Sequence, residues 1–258
     1  MHLRKILLAC LLLPLLLGAA WQSEPETRIF LIGDSTMADK PGTPEENPER
    51  GWGQLLSLFF TEKVAIHNHA VNGRSSKSFR TEGRWEAVLA ELRPGDHVMI
   101  QFGHNDQKDQ DASRYAHAWT SYRRNLERYV AETRAKGAFP ILLSSIVRRN
   151  FNEQGVLIDT HGAYPFVARS VAREMGVHFI DLQLLTEDYI QALGPEKSKE
   201  IYLWVAPGQY EKWPEGRQDN THLSLHGATE YARFVAEAIQ TLNLPLARYV
   251  TLYSARRP

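Results

Sequence analysis

Five short apolar runs, separated by longer segments of helical pattern, set the strongest constraint on the fold of this chain. Each run is rich in residues that favour strands and is too short for a helix. The runs cover 28–33, 64–71, 97–102, 140–146 and 177–181. Helical patterns cover 54–62, 85–92, 115–136, 165–174 and 229–242, whereas 39–50 and 204–220 are rich in Pro and Gly and have the composition of loops. Strands that alternate with helices predict a parallel sheet with helices on both faces.

Length and composition indicate a single α/β domain. The chain has 258 residues, of which 43% are hydrophobic and 23% are charged, and these values are typical of one globular unit. We therefore predict one domain over 21–258. Lys and Arg total 30, and so do Asp and Glu, so no basic surplus favours nucleic acid as a partner. The sequence does not define an oligomeric state.

The first twenty residues have the pattern of a secretory signal peptide. Arg4 and Lys5 precede an apolar run at 6–17, and small residues follow it up to Ala20, where we expect cleavage. The run is shorter than the ~20 apolar residues that span a bilayer, so we expect no integral membrane segment and a secreted or periplasmic protein. Cleavage would also remove Cys10, the one cysteine, and would leave no thiol nucleophile in the mature chain.

Unusual polar groups follow three of the predicted strands. They are Gly33-Asp34-Ser35, Asn72-Gly73-Arg74 and Gly103-His104-Asn105-Asp106. Ligands bind at the carboxyl ends of the strands in parallel sheets. We therefore expect these three junctions to converge in space and to form a site.

The residues at these junctions predict acyl-transfer chemistry. Ser35 lies at a tight turn after the first strand, but a serine hydroxyl is a poor nucleophile without a base. Asp219 precedes His222 by three residues, close enough to orient the imidazole and to stabilise its cation. The backbone N–H groups of Ser35 and Gly73 and the side-chain amide of Asn105 can stabilise an oxyanion. We predict a serine esterase in which Ser35, Asp219 and His222 are catalytic.

Other side chains are candidates for substrate contact. Arg74 and Arg148 follow strands at the predicted site edge, where guanidinium groups can bind uronate carboxylates. Trp204 and Trp213 lie in the segment that leads to Asp219, and aromatic faces can stack on sugar rings. The alternatives are solvated surface arginines and aromatic residues that anchor the loop.

The sequence gives no reason to expect a metal. His67 and His69 share one face of a predicted strand, but no third ligand follows at metal-site spacing. We therefore predict no metal site.

Four blocks of the sequence, in this order, resemble those of SGNH hydrolases. They are Gly-Asp-Ser at 33–35, Gly73, Gly-x-Asn-Asp at 103–106 and Asp-x-x-His at 219–222. Further segments resemble the rhamnogalacturonan acetylesterase branch, namely Gly-Trp-Gly at 51–53, Asn-Gly-Arg-Ser-Ser at 72–76 and Asp-Thr-His-Gly at 159–162. The resemblance extends from about 28 to about 238.

The resemblance implies a flavodoxin-like three-layer α/β/α sandwich with a five-stranded parallel sheet. It implies hydrolysis of acetyl esters on a plant polysaccharide, pectic rhamnogalacturonan, through an acetyl-serine and without a cofactor. Ser35 would be the nucleophile, Asp219 and His222 its partners, and Ser35, Gly73 and Asn105 the oxyanion donors. The alternatives are a lipid esterase or lysophospholipase, an acetylxylan-type esterase, and a carbohydrate-binding module without activity.

Overall fold

The computed structural model describes residues 26–252. In chain order its elements are β1 (Thr27–Gly33), β2 (Glu49–Arg50), α1 (Trp52–Leu55), β3 (Val64–Asn68), α2 (Ser78–Thr81), α3 (Arg84–Glu91), β4 (His97–Gln101), α4 (Arg123–Ala135), β5 (Phe139–Leu143), α5 (Ala163–Met175), β6 (His178–Ile180), α6 (Leu182–Lys197), β7 (Tyr202–Val205), β8 (Arg217–Ser224) and α7 (Leu225–Thr241). The N-terminal segment 1–20, predicted to be a signal peptide, lies outside the described residues.

The predicted parallel sheet is confirmed. Its five strands have the order β3-β1-β4-β5-β6, and every neighbouring pair is parallel. The order reverses at β1, which lies between β3 and β4. In open α/β sheets such a reversal creates the crevice at the carboxyl ends of the strands in which ligands bind.

Helices cover both faces of the sheet, because successive side chains of each strand point to opposite faces. Ile29 and Leu31 of β1 pack into a core formed with α1, α6 and α7. Phe30 and Ile32 pack into a second core formed with α3, α4 and α5. All four side chains are buried. The predicted three-layer α/β/α sandwich is therefore confirmed.

A small antiparallel sheet of order β2-β8-β7 overlaps the segments 39–50 and 204–220, which the composition predicted as loops. That prediction was wrong at the ends of both segments. The eight residues of β8 are mostly polar, and β2 has only two residues, so neither strand shows the apolar alternation by which strands are recognised. We call this unit the small sheet.

The predicted helix over 54–62 is also wrong. The chain forms only α1 and a 3-10 turn over Leu56–Phe59. Phe60 then makes a bridge to Val250, and the N–H of Thr61 donates to the carbonyl of Tyr249 at 2.9 Å. These contacts with a distant part of the chain replace the helical hydrogen bonds. Among the residues that the structure describes, no helix is long and apolar enough to cross a membrane.

Candidate active site

Ser35 lies in a single helical turn that begins where β1 ends. The Asp34 carboxylate caps this turn by accepting the backbone N–H of Thr36 at 2.9 Å. The Asp34 carbonyl accepts the N–H of Met37 and that of Ala38 at 3.2 and 3.0 Å. The turn therefore leaves the Ser35 hydroxyl at the carboxyl edge of the sheet, where 9% of the residue is exposed.

A buried network fixes the turn against β4 and α1. Thr36 Oγ1 accepts from Gln101 Nε2 at 3.0 Å, and Gln101 Oε1 accepts from the indole N–H of Trp52 at 2.6 Å. The backbone N–H of Trp52 returns to the Thr36 carbonyl at 2.9 Å. Gly51 packs so closely that a Cβ there would lie 2.2 Å from the Ala38 carbonyl oxygen. The Gly-Trp-Gly segment thus supports the serine turn.

The structure brings Ser35, His222 and Asp219 together across 187 residues of sequence. The distance from His222 Nε2 to Ser35 Oγ is 2.9 Å. His222 Nδ1 lies 2.8 Å from Asp219 Oδ2. The other carboxylate oxygen, Oδ1, accepts the backbone N–H groups of Thr221 and His222 at 2.8 and 2.9 Å. This chain of contacts is the arrangement in which an imidazole removes a serine proton.

The Asp219 carboxylate is held as an anion. Burial acts to raise its pKa, but the hydrogen bond and charge of His222 and a hydrogen bond from Arg217 outweigh burial, so the pKa lies well below its usual range. Arg217 Nη2 donates to Asp219 Oδ2 at 2.7 Å. Sequence reasoning missed Arg217, although its spacing from Asp219 places both on one face of a strand.

The three predicted oxyanion donors lie at the ends of β1, β3 and β4. Asn105 is buried, and its Nδ2 donates one N–H to the Arg74 carbonyl at 3.1 Å. The amide keeps a second N–H. Gly73 has φ +77, a conformation that L side chains rarely adopt. Within residues 26–252, the N–H groups of Ser35 and Gly73 have no hydrogen-bond acceptor.

Asp106 links the loops that follow β3 and β4. Its buried carboxylate accepts the backbone N–H of Ser76 at 3.0 Å and also the Ser76 hydroxyl. Burial raises the pKa of Asp106 to about 7, against the opposing hydrogen bonds of Ser76. The neighbouring Asn105 therefore lies next to a hydrogen-bonded link between the two loops, which converge on the site.

The two predicted arginines differ in their surroundings. Arg74 is partly exposed, and its Nε donates to Glu82 at 2.9 Å. It lines an open surface depression beside Gly73. Arg148 is more enclosed and donates to the Thr160 carbonyl and hydroxyl at 3.2 and 3.1 Å. Burial lowers the pKa of Arg148. Substrate contact by either arginine stays a prediction.

The two predicted tryptophans contact residues of β8. Trp204 Nε1 donates to Asn220 Oδ1 at 2.9 Å. The cations of Arg149 and Lys199 lie 4.8 and 4.9 Å from its ring centroid. These contacts hold Trp204 in β7 against β8, and sugar stacking by Trp204 stays a prediction. Trp213 lies 6.0 Å from the Arg217 guanidinium and so borders the group that binds Asp219.

A pair of buried imidazoles lies beside this edge of the sheet. The ring centroids of His104 and His161 are 4.6 Å apart, and His161 Nε2 lies 2.8 Å from the Ile146 carbonyl oxygen. Burial lowers both pKa values, that of His161 to about 4, so both rings are neutral at neutral pH. In the described part of the chain, no group of three His, Cys, Asp or Glu side chains is arranged to hold a metal ion.

Comparison with known proteins identifies the family. The model of the GDSL-like lipase/acylhydrolase family matches residues 31–229. The rhamnogalacturonan acetylesterase RhgT of Bacillus subtilis is 42% identical over 219 residues, which are 85% of this chain and 92% of RhgT.

Solved structures share the fold. The Bacillus subtilis protein YxiM superimposes with a TM-score of 0.73 at 24% identity over 86% of this chain, which spans 58% of the YxiM chain. Axe2, an acetylxylan esterase from Geobacillus stearothermophilus, superimposes with a TM-score of 0.59 at 22% identity over 84% of this chain and 95% of its own. The family model and the identity with RhgT show that the chain belongs to the GDSL-like lipase/acylhydrolase family, in its rhamnogalacturonan acetylesterase-like branch, and is a carboxylic ester hydrolase.

Proposed function

We propose that this protein removes O-acetyl groups from a plant cell-wall polysaccharide, pectic rhamnogalacturonan, with Ser35, Asp219 and His222 as its catalytic residues. The observation that carries the chemistry is the continuous contact from Ser35 Oγ to His222 and on to Asp219, at 2.9 and 2.8 Å. The similarity to a rhamnogalacturonan acetylesterase supports the substrate class.

The first half of the reaction forms an acetyl-serine. His222 Nε2 takes the hydroxyl proton while Ser35 Oγ bonds to the acetyl carbonyl carbon. The carbonyl oxygen becomes an oxyanion, which the N–H groups of Ser35 and Gly73 and the Asn105 amide stabilise. The bond from the carbonyl carbon to the sugar oxygen then breaks, and His222 gives its proton to that oxygen. The deacetylated sugar leaves.

The second half hydrolyses the acetyl-serine by the same steps. Water replaces the sugar, His222 takes one of its protons, and the water oxygen bonds to the acetyl carbon. The bond to Ser35 Oγ breaks, the proton returns to the serine, and acetate leaves. Asp219 stays ionised and stabilises the imidazolium in both halves. No metal or other cofactor enters these steps.

The substrate is tested by acetate release from acetylated rhamnogalacturonan, homogalacturonan and xylan, and from 4-nitrophenyl esters of increasing chain length. We expect the largest kcat/KM on rhamnogalacturonan, and acetyl preferred over longer acyl groups. A preference for long acyl chains would favour the lipid esterase alternative, and a preference for xylan the acetylxylan alternative.

The nucleophile is tested by Ser35→Ala, which should abolish turnover and labelling by an organophosphate while leaving the unfolding temperature nearly unchanged. Ser170→Ala is the matched control, since the Ser170 hydroxyl donates to the Phe166 carbonyl within α5 and bonds no other group among residues 26–252. Labelling of the Ser35→Ala variant at the wild-type rate would assign the nucleophile to another residue.

We also propose that residues 1–20 direct the protein to the periplasm or the exterior. Expression of the full chain in a bacterial host, followed by N-terminal sequencing of the mature protein, tests this. A mature chain that begins near Trp21 is expected, and a cytoplasmic chain that retains 1–20 would contradict the proposal.

A further inference from the structure

Lys40 is a buried cation whose ammonium group has three protein acceptors. Only 2% of its side chain is exposed. Nζ donates to the Ser35 carbonyl oxygen at 2.7 Å and to Asn72 Oδ1 at 2.5 Å. It also pairs with Glu49 Oε1 at 3.0 Å. Lysine is almost never fully buried unless it is paired, and here all three N–H donors of the ammonium have acceptors.

The three acceptors belong to the three segments that carry the proposed catalytic groups. Ser35 is the nucleophile in the turn after β1. Asn72 directly precedes Gly73, an oxyanion donor in the loop after β3. Glu49 lies in β2, which pairs with β8 through Glu49 and Ser224. The strand β8 carries His222, so one ammonium group joins the nucleophile, the oxyanion loop and the small sheet.

The geometry points to Lys40 as a positioning residue, which sets the relative placement of the Ser35 turn and the Gly73 loop without touching the substrate. This inference rests on the proposed function of Ser35 and Gly73. The N–H groups of Ser35 and Gly73 must face one oxyanion, although they follow different strands. The register of β3 and β1 ends at Asn68 and Leu31, and a further backbone hydrogen bond joins the two segments, from the Val71 N–H to the Gly33 carbonyl at 3.1 Å. Beyond that point the Lys40 ammonium makes polar contact with both segments.

The charge on Lys40 suits this role. Burial lowers the pKa of Lys40, whereas Glu49 and Asp34 act to raise it by favouring the charged form. A charged donor makes stronger hydrogen bonds than a neutral one.

The test is Lys40→Met, which keeps an unbranched apolar side chain and removes the three donors. We expect kcat with 4-nitrophenyl acetate to fall by roughly 10- to 100-fold, the loss that a misplacement of about 1 Å can cause, with KM changed less than threefold. Organophosphate labelling of Ser35 should slow in parallel. The matched control is Lys63→Met, because Lys63 makes an exposed ion pair with Glu26 at 2.7 Å and should keep wild-type kcat.

A second variant covers the case in which Lys40→Met does not fold. Asn72 is exposed, so Asn72→Ala should fold normally and still lower kcat severalfold by releasing the Gly73 loop. When both replacements fold, the loss in the double variant should be smaller than the product of the single losses, because they break one shared contact.

Three results would overturn the inference. They are a folded Lys40→Met with kcat within threefold of wild type, an effect on KM alone, and independent effects of Lys40→Met and Asn72→Ala. A failure of the proposed function is distinguishable, since the wild-type protein would then release no acetate from carbohydrate or Ser35→Ala would keep its labelling. The assay of Lys40 uses a small ester and does not depend on the natural polymer.

Discussion

The replacement Asp219→Asn is a sharp test of the proposed triad, because the hydrogen-bond donors around residue 219 fix the orientation of the new amide. Oδ1 of Asp219 accepts two backbone N–H groups, from Thr221 and His222. The amide oxygen must occupy this position, since an NH2 group there would face two donors. The NH2 group then replaces Oδ2 and faces His222 Nδ1, which lies 2.8 Å from Oδ2.

A donor at this position forces the imidazole into the wrong tautomer. Nδ1 becomes the acceptor and Nε2 carries the proton, so Nε2 donates to Ser35 Oγ instead of accepting from it. Loss of the base in this way lowers kcat by about 10⁴-fold in Ser-His-Asp triads. At ~1.4 kcal/mol for each tenfold change, this corresponds to roughly 5.5 kcal/mol of transition-state stabilisation. Arg217, which donates to Oδ2 at 2.7 Å, must also turn away from the new NH2 group.

The assay is kcat and KM with 4-nitrophenyl acetate at neutral pH, together with ¹⁵N NMR of the His222 ring. The control is Asp96→Asn at the amino-terminal end of β4, because Asp96 also accepts a backbone N–H, from Arg93, and also pairs with an arginine, Arg28. It should lose stability but keep kcat. If Asp219→Asn retains kcat within tenfold of wild type, or if its His222 still carries the proton on Nδ1, the reasoning is refuted.

Three further predictions concern groups around the triad. Asn105→Ala should lower kcat by ~10²- to 10³-fold with little change in KM, as measured by steady-state kinetics. An effect on KM alone would show that Asn105 is not an oxyanion donor. For Asp106 the pKa in the folded protein, about 7, lies above the ordinary carboxyl value near 4, so its contribution to stability is present at low pH and falls as pH rises towards 7. Urea unfolding at pH 5 and pH 8 should show this loss of stability in the wild type. An equal loss in Asp106→Asn would show that the loss does not come from Asp106. Gly51→Ala should lower the free energy of unfolding by roughly 3 kcal/mol, because its Cβ would lie 2.2 Å from the Ala38 carbonyl oxygen. An unchanged free energy of urea unfolding would contradict the close packing of Gly51 against the turn that carries Ser35.

The central sheet and the proposed triad could be predicted from sequence because both depend on local patterns. Buried parallel strands appear as short apolar runs, and the chemistry of such sheets lies at the strand ends. Ser35 directly follows a run, and Asn105 lies three residues beyond another. The prediction of Ser35 and Asn105 therefore needed no long-range contact beyond the convergence of strand ends, and that of Asp219 and His222 relied on the local Asp-x-x-His pattern.

The features that were missed depend on partners far away in sequence. Lys40 has the appearance of a loop lysine, and its burial follows from acceptors that include Asn72, which no local pattern reveals. Strand β8 is polar along most of its length and carries Asp219 and His222 in its interior, so it lacks the apolar pattern by which strands are recognised. The 3-10 turn over Leu56–Phe59 replaces a helix because Thr61 bonds to Tyr249.

The small sheet explains how a histidine far along the chain is placed on the serine. Ser35 follows β1 at the carboxyl ends of the parallel strands, whereas His222 lies in β8 of the small sheet. Their 2.9 Å contact therefore joins the two sheets. Strand β8 is fixed at Asn220. The Asn220 carbonyl accepts the Arg149 N–H at 2.8 Å, and the Asn220 side chain accepts the Trp204 indole N–H at 2.9 Å. Neither anchor touches the imidazole. We expect a displacement at either one to change the distance from His222 Nε2 to Ser35 Oγ, and thereby to slow the proposed chemical step.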